Sequence, residues 1–297
     1  MFLNAAREIK EEIRAMLPSF ALRSGMPVAV GFSPGADAAD YKVAIRARRS
    51  DDLTKSALRY LEQATGGDVD IRVTGAIRPC RALAMGVSTA HVHGHIGTLG
   101  FFARRTADGR VGFVSNNHVI AAEDEGVDGD DVVVVENGTD LRVVGKLAGD
   151  YPRLRGGSTT VDCAFAQLID GIDFDATLGG EVLASKPVEA TGNLVVRKVG
   201  RSSGRTEGRV SAFALTDVVV DYSFGSVLFH EQIEIESLTT EPFSLPGDSG
   251  SLIFTAERQP LALLHAGSAI GGVTNAGLTY ANPLSAVFEA LGVTLLT

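Results

Sequence analysis

Three polar side chains in this 297-residue chain are of the types that make a nucleophile, a base and an orienting acid. Ser249 lies in LPGDSGSLIF (245–254), His118 in SNNHVI (115–120) and Asp162 in VDCAFAQLI (161–169). A serine hydroxyl is a poor nucleophile at neutral pH and needs a base within hydrogen-bond reach. Histidine titrates nearest neutrality and can serve, provided a third group fixes its tautomer and stabilises its imidazolium. Asp162 fits that role because it opens a markedly apolar strand, where an isolated carboxylate is costly unless partnered. Asp130, Asp131 and Asp150 compete for it, but from polar turns where solvation accounts for them. The glycines around Asp248-Ser249 permit a sharp turn that exposes the hydroxyl. In such a turn the N–H groups of Gly247 and Ser249 can converge on one point, as a developing oxyanion requires. The plainer reading of GDSG is a surface turn, since all its residues are turn formers.

Two other motifs offer rival chemistry. In HVHGH (91–95) His91, His93 and His95 fall on one face of an extended segment, a spacing that can suit zinc or copper. No cysteine or carboxylate completes an evident set, and a turn at Gly94 breaks the alternation, so no metal is expected. The histidines read instead as lining a site entrance or as solvated. GRSSGRTEG (200–208) looks like a phosphate loop but lacks the closing Gly-Lys-Ser/Thr and lies between strands. It reads as a structural turn, with Lys198, Arg201, Arg205 and Arg209 as a small solvated basic strip. No cofactor is implied.

The elements that must position these residues change character along the chain. Residues 3–16, with Leu3, Ile9, Ile13 and Met16 near helical spacing, predict a helix that Pro18 ends. PVAVGFSP (27–34) and YKVAIRARR (41–49) read as strands. DDLTKSALRYLEQATGG (51–67) reads as a helix with an acidic first turn and a glycine stop, and VDIRVTGAIR (69–78) as a strand. This gives a small α+β module over residues 1–79. From Ile96 the texture becomes short strands between Gly, Asp and Asn turns: IGTLGFFAR, RVGFVSN, DVVVVEN, LRVVGKLAG and VDCAFAQLI. After a looser stretch at 170–192 come NLVVRKVG, GRVSAFAL, DVVVDYS, EQIEIES, GSLIFT and PLALLHAG. Such spacing predicts barrels rather than a parallel sheet. Only NPLSAVFEALGV (282–293) reads as helix. The expected fold is mainly β: a double β-barrel with a C-terminal helix over residues 80–297.

Composition narrows the partners. A net charge of −9 without a basic block argues against nucleic acid and against an anionic membrane surface. Charges interrupt the amino-terminal apolar residues, unlike a signal peptide, and no stretch reaches transmembrane length. The 2 cysteines, Cys80 and Cys163, are too few for a disulfide scaffold and point to reduced thiols in a cytoplasmic protein.

The order His118, Asp162, Ser249 resembles the trypsin/chymotrypsin-type serine peptidases, and SNNHVI resembles their bacterial Htr/Deg branch. GTLGFF (97–102), VGFVSNNHV (111–119), KVGRSSGRTEGRV (198–210), FSLPGDSGSLIF (243–254) and LLHAGS (263–268) together resemble uncharacterised bacterial trypsin-like proteins and the plant narrow-leaf proteins. That resemblance implies an endopeptidase acting on protein or peptide through an acyl-enzyme. Ser249 would attack, His118 would take and return the proton, Asp162 would orient His118, and the Gly247 and Ser249 N–H groups would form the oxyanion hole. It also implies that His265, Ala266 and Gly267 pair with the substrate backbone. Phe243 stands six residues before the serine, where trypsin carries a pocket-floor acid, so cleavage after a small or medium apolar residue is expected rather than after Lys or Arg. The barrels lack the new amino terminus of activated zymogens, so Asp248 must be ordered by something else. The amino-terminal module would gate the peptidase or bring it a regulatory protein partner. The resemblance leaves oligomeric state open, and a silent peptidase fold used for binding is the standing alternative.

Overall fold

The computed structural model describes residues 1–20, 28–35, 37, 40–75, 82–136 and 140–297. The chain forms two compact units, Met1–Cys80 and Arg81–Thr297. Cys163 is a buried free thiol, while Cys80 lies outside the described residues. No described helix is long and apolar enough to cross a membrane.

The smaller unit is an α-ββαβ layer. Strand Tyr41–Ala47 is central, antiparallel to Ala29–Pro34 and parallel to Val69–Val73. The parallel neighbour is reached through helix Lys55–Thr65, as a parallel pairing requires. Helices Leu3–Met16 and Lys55–Thr65 bury Ile13, Ala57 and Leu61 against Val43 and Ile45. The expected acidic first turn is absent. Thr54 caps the second helix by accepting the Ala57 N–H at 3.1 Å. Asp52, before the helix, instead accepts the Arg49 N–H at 2.8 Å and closes the preceding turn. Gly66 ends the helix in the left-handed region at φ 60, where a glycine pays no Cβ penalty.

The larger unit is mainly β. Its first half is an eight-stranded sheet, in spatial order Val293–Leu295, Phe101–Arg105, Val111–Ser115, Ala164–Leu168, Asp140–Leu147, Asp131–Glu136, Ser88–His91, Gly97–Thr98. The second half is a closed six-stranded barrel: Val195–Gly200, Gly204–Leu215, Gln232–Ser237, Leu278–Pro283, Pro260–Gly267 and Leu252–Thr255. Register shifts between Val210 and Ala212 and between Leu264 and Ala266 supply the local bends that closure needs. Helix Leu284–Leu291 buries Leu284, Val287 and Leu291, and Gly292 ends it in the left-handed region.

After the expected C-terminal helix, Val293–Leu295 returns to pair with Phe101–Arg105 in the first half. One expectation is corrected: DVVVDYS is not a barrel strand. Val218–Tyr222 pairs with Gly225–Phe229 in a hairpin outside the barrel, which joins Ser158–Thr159 in parallel.

Candidate active site

The two asparagines before His118 explain why a histidine stands at the end of an apolar strand. Strand Val111–Ser115 runs into a one-turn helix, Asn117–Ile120. Buried Asn116 donates from Nδ2 to the Asp162 carbonyl at 2.6 Å. Asn117 donates to Asp124 Oδ1 at 2.6 Å and to the Pro152 carbonyl at 2.8 Å, and accepts the Asp124 N–H at 3.0 Å. The turn carrying His118 is thereby tied to the segment carrying Asp162 and to the loop that follows it.

His118 Nδ1 lies 2.5 Å from Asp162 Oδ2, and the His118 backbone N–H donates to Oδ1 at 3.2 Å. Asp162 is fully buried. Its own N–H donates to Asn282 Oδ1 at 2.9 Å, and Tyr222 OH donates to Oδ2 at 2.8 Å. The competing Asp130 instead accepts from His91 and the Val127 N–H. Burial by itself disfavours the His118 imidazolium, but the charge and hydrogen bond of Asp162, with a smaller push from Glu123, raise its pKa above 6.5. Burial likewise opposes ionisation of Asp162, and the His118 charge and the hydrogen bonds from His118 and Tyr222 outweigh it. The carboxylate fixes the tautomer: Nδ1 carries the proton and Nε2 is left to accept one.

Ser249 sits in a loop anchored through its neighbour. Asp248 is fully buried and accepts from Lys198 Nζ at 3.0 Å, Ser203 Oγ at 2.6 Å, and the N–H groups of Ser202, Ser203 and Leu245 at 2.9, 3.2 and 2.9 Å. The glycine-rich turn is thus an anion nest whose anion is a side chain of this same chain. Burial disfavours the Asp248 charge, but Ser203, the Leu245 N–H and Lys198 hold its pKa below the usual carboxylate value. Lys198 is the buried cation that pairs with Asp248, whose side chain is equally buried. Lys198 does not belong to the expected solvated basic strip, since it is 0% exposed. Arg201 and Arg205 are exposed as expected, with Arg205 paired to Glu181 and Arg209 to Glu236.

The peptide planes that carry the expected oxyanion donors are fixed from behind. The Pro246 carbonyl accepts from Ser202 Oγ at 2.7 Å, and the Asp248 carbonyl accepts from the Ser251 N–H at 3.0 Å and Ser251 Oγ at 2.6 Å. In a trans peptide the N–H points opposite to the carbonyl, so these bonds aim the N–H groups of Gly247 and Ser249 away from the anchors. Gly247 has φ +98, and a Cβ there would stand 2.5 Å from Ser202 Oγ. Only glycine fits. A Cβ on Gly200 would come within 2.4 Å of Asp248 Oδ1, which makes that glycine part of the nest.

Ser249 Oγ points to the His265 carbonyl at 3.5 Å, and among the described residues it makes no hydrogen bond to His118. His265 is a buried neutral imidazole: desolvation drives its pKa down to about 4. Its Nε2 donates to Gln232 Oε1 at 2.9 Å. Strand Leu252–Thr255 pairs with Pro260–Gly267 only up to Leu263. Beyond it, the His265 carbonyl faces Ser249 Oγ, and Ala266 and Gly267 pair with Tyr280 and Thr279.

Phe243 is a correction. It is 2% exposed and packs with Val196, Val210, Ile235 and Ile253 in the core of the closed barrel, with Lys198 Nζ 5.7 Å from its ring. Its ring is turned into the barrel core and presents almost no surface to a substrate side chain. In HVHGH, His91 accepts the His93 N–H at Nδ1 and donates from Nε2 to Asp130, so neither ring nitrogen is left for a metal. Tyr222 and Asn282 are site residues that the sequence pattern did not single out, and Lys198, Ser202 and Ser203 were read there only as a solvated strip and a structural turn. For Lys198 a signal existed, since Val196, Lys198 and Gly200 alternate inward along one strand.

A family model described as the Nal1 C-terminal domain matches residues 180–285. No curated protein matches the sequence. Among solved structures, protease A of Thermobifida fusca is 20% identical, with 73% of this chain and 100% of that chain covered and a TM-score of 0.51. A Nocardiopsis protease is 21% identical over 73% of this chain and 100% of that one, with a TM-score of 0.52. A glutamic acid-specific serine protease is 21% identical over 72% and 100%, also at 0.52. At such identities the likeness establishes the fold, which is the trypsin-like double barrel.

Proposed function

We propose that this trypsin-like chain is a serine endopeptidase in which Ser249 attacks the scissile carbonyl and forms an acyl-enzyme. The observation that carries the reading is the buried His118–Asp162 pair, with Nδ1 2.5 Å from Oδ2, because that contact leaves Nε2 as the base. His118 takes the Ser249 proton and returns it to the leaving amine. The Gly247 and Ser249 N–H groups receive the oxyanion, and the anchored Pro246 and Asp248 carbonyls let them do so without reorganisation. The substrate backbone adds along His265–Gly267, where main-chain hydrogen bonds give affinity.

The substrate is protein or peptide, and the reading needs no metal or cofactor. Its setting is the cytoplasm, in keeping with the free thiol of Cys163. The amino-terminal unit is the regulatory part, acting directly or through a protein partner.

A silent binding protein is the second reading, favoured by one observation: Ser249 Oγ faces the His265 carbonyl rather than His118. Catalytic hydrogen bonds are often long or misaligned before substrate binds, so this orientation does not by itself decide for the silent reading. A fluorophosphonate probe separates the readings. The wild-type chain labels at Ser249 and Ser249→Ala does not. A wild type that stays unlabelled sinks the peptidase reading.

A further inference from the structure

Outside the barrel, the hairpin Val218–Tyr222/Gly225–Phe229 has no role in the double-barrel frame, yet it is built into the site at three places. Its base joins Ser158–Thr159, just upstream of Asp162. Its apolar side, with Val227 and Phe229, packs on Leu154. Its tip is clamped. The Ser223 N–H donates to Glu123 Oε2 at 3.1 Å, Ser223 Oγ donates to the same oxygen, and Arg155 lies 4.6 Å from the Phe224 ring. Tyr222 and Phe224 stack at 5.6 Å.

The other half of the clamp is strained. Ala122, Glu123 and Asp124 have φ of 49, 56 and 74, a left-handed run that non-glycine residues adopt only when their surroundings enforce it. Asn117 holds Asp124 from both ends, Arg155 N–H donates to Asp124 Oδ2 at 2.7 Å, and Arg153 donates to the Asp124 carbonyl at 3.1 Å. Strain of this kind gathers at functional sites. Here its effect is to present the Glu123 carboxylate to the hairpin tip.

With the tip clamped, Tyr222 OH reaches Asp162 Oδ2 at 2.8 Å, the oxygen that holds His118 Nδ1. Its ring lies 5.9 Å from the His118 ring. Burial and the Asp162 carboxylate raise the phenol's pKa far above its ordinary value, so it is always a donor.

We infer that Tyr222 is a positioning residue of the triad, and that the 218–229 hairpin, clamped by Glu123, is the strap that delivers its hydroxyl to the buried carboxylate. Tyr222 shares Oδ2 with the imidazole. It fixes the carboxylate's rotation and draws off part of the charge that would otherwise strengthen the hold on the His118 proton. The charged and titratable groups that bear on His118 are Asp162, Glu123 and His265, with Asp124 beside the tip. Its role rests on the peptidase reading, but its electrostatic consequence does not.

The test is the NMR titration of the His118 ring in the full chain, assigned by comparison with His118→Ala. Tyr222→Phe keeps the ring stacking and removes one donor from Oδ2. The His118 pKa should rise by about half a unit or more, because a hydrogen bond to a charged group is lost. Ser223→Ala, which loosens the clamp, should shift it in the same direction by less. An unmoved or lowered His118 pKa in Tyr222→Phe, with thermal unfolding unchanged, overturns the inference. Fluorophosphonate labelling of the wild type is scored separately. A wild type that labels while Tyr222→Phe leaves the titration unmoved removes only the strap. A wild type that fails to label while the titration moves removes only the peptidase reading.

Discussion

At the level of single side chains, the peptidase reading requires a neutral His118 to accept the Ser249 proton, and Asp162 would work against that as pH falls. Because the His118 pKa is raised above 6.5, the rate of fluorophosphonate labelling should climb with pH through a midpoint above 6.5. Asp162→Asn removes the charge and invites the wrong tautomer. Its labelling should fall by about 10⁴-fold, the scale seen when a triad carboxylate is neutralised, and its midpoint should drop. Stability runs the other way. A raised His118 pKa means the ion pair contributes fully below the unfolded value and is lost as pH rises through the folded one. Asp162, with a lowered pKa, contributes above its unfolded value and loses that contribution as pH falls through the folded one. A midpoint below 6.5 would show that burial outweighs Asp162 at His118, and a labelling rate that does not change with pH across the histidine range would show that the base is not His118.

At the level of elements, the chemistry rests on two short connections that the sequence disguises in different ways. The turn Arg201–Ser203 and strand Val195–Gly200 bring Lys198 and the nest to Asp248. Removing one partner of a buried ion pair leaves the other stranded, at a cost of about 3–5 kcal/mol. Lys198→Met should therefore lower the thermal midpoint and reduce labelling by about 10²-fold or more, the scale for losing an oxyanion donor. Adding Asp248→Asn should recover much of the stability. Labelling unchanged in Lys198→Met would detach the pair from the oxyanion loop. The His118–Asp162 pair, the glycine-flanked turn and most of the barrel strands were legible because they follow local rules of chemistry and alternation. Lys198 was readable from the same alternation, but a lysine is expected to be solvated and its buried acid lies 50 residues away. Tyr222 was not readable, since DVVVDYS alternates like any barrel strand and only tertiary pairing sets it outside the barrel. Phe243 misled for the converse reason: its place relative to Ser249 is local, but which way its ring turns is decided by the barrel's packing.

At the level of the whole molecule, the two halves of the larger unit meet in one shared apolar cluster, beside a second cluster inside the closed barrel. Leu252, Phe254 and Leu263 of the closed barrel pack in the same cluster as Leu99, Phe101 and Val114 of the eight-stranded sheet, with Leu284, Val287 and Leu291 of the terminal helix. The last strand then pairs back onto the sheet. Ser249 and the His118–Asp162 pair come from the two halves, so in the peptidase reading this shared cluster is what sets nucleophile and base relative to each other. The smaller unit builds a separate core from Ile13, Leu17, Val43, Ile45, Leu53, Ala57 and Leu61. A chain of residues 81–297 should therefore fold by itself, with a cooperative thermal transition and Ser249 still reactive. Its labelling rate, set against that of the full chain, tests the regulatory reading of residues 1–80. A gate predicts a change of about threefold or more, the effect of a population shift smaller than 1 kcal/mol. Equal rates remove the gate. A truncated chain that fails to fold would mean that the larger unit's core is not sufficient to itself, and the smaller unit would then be a structural part of the peptidase.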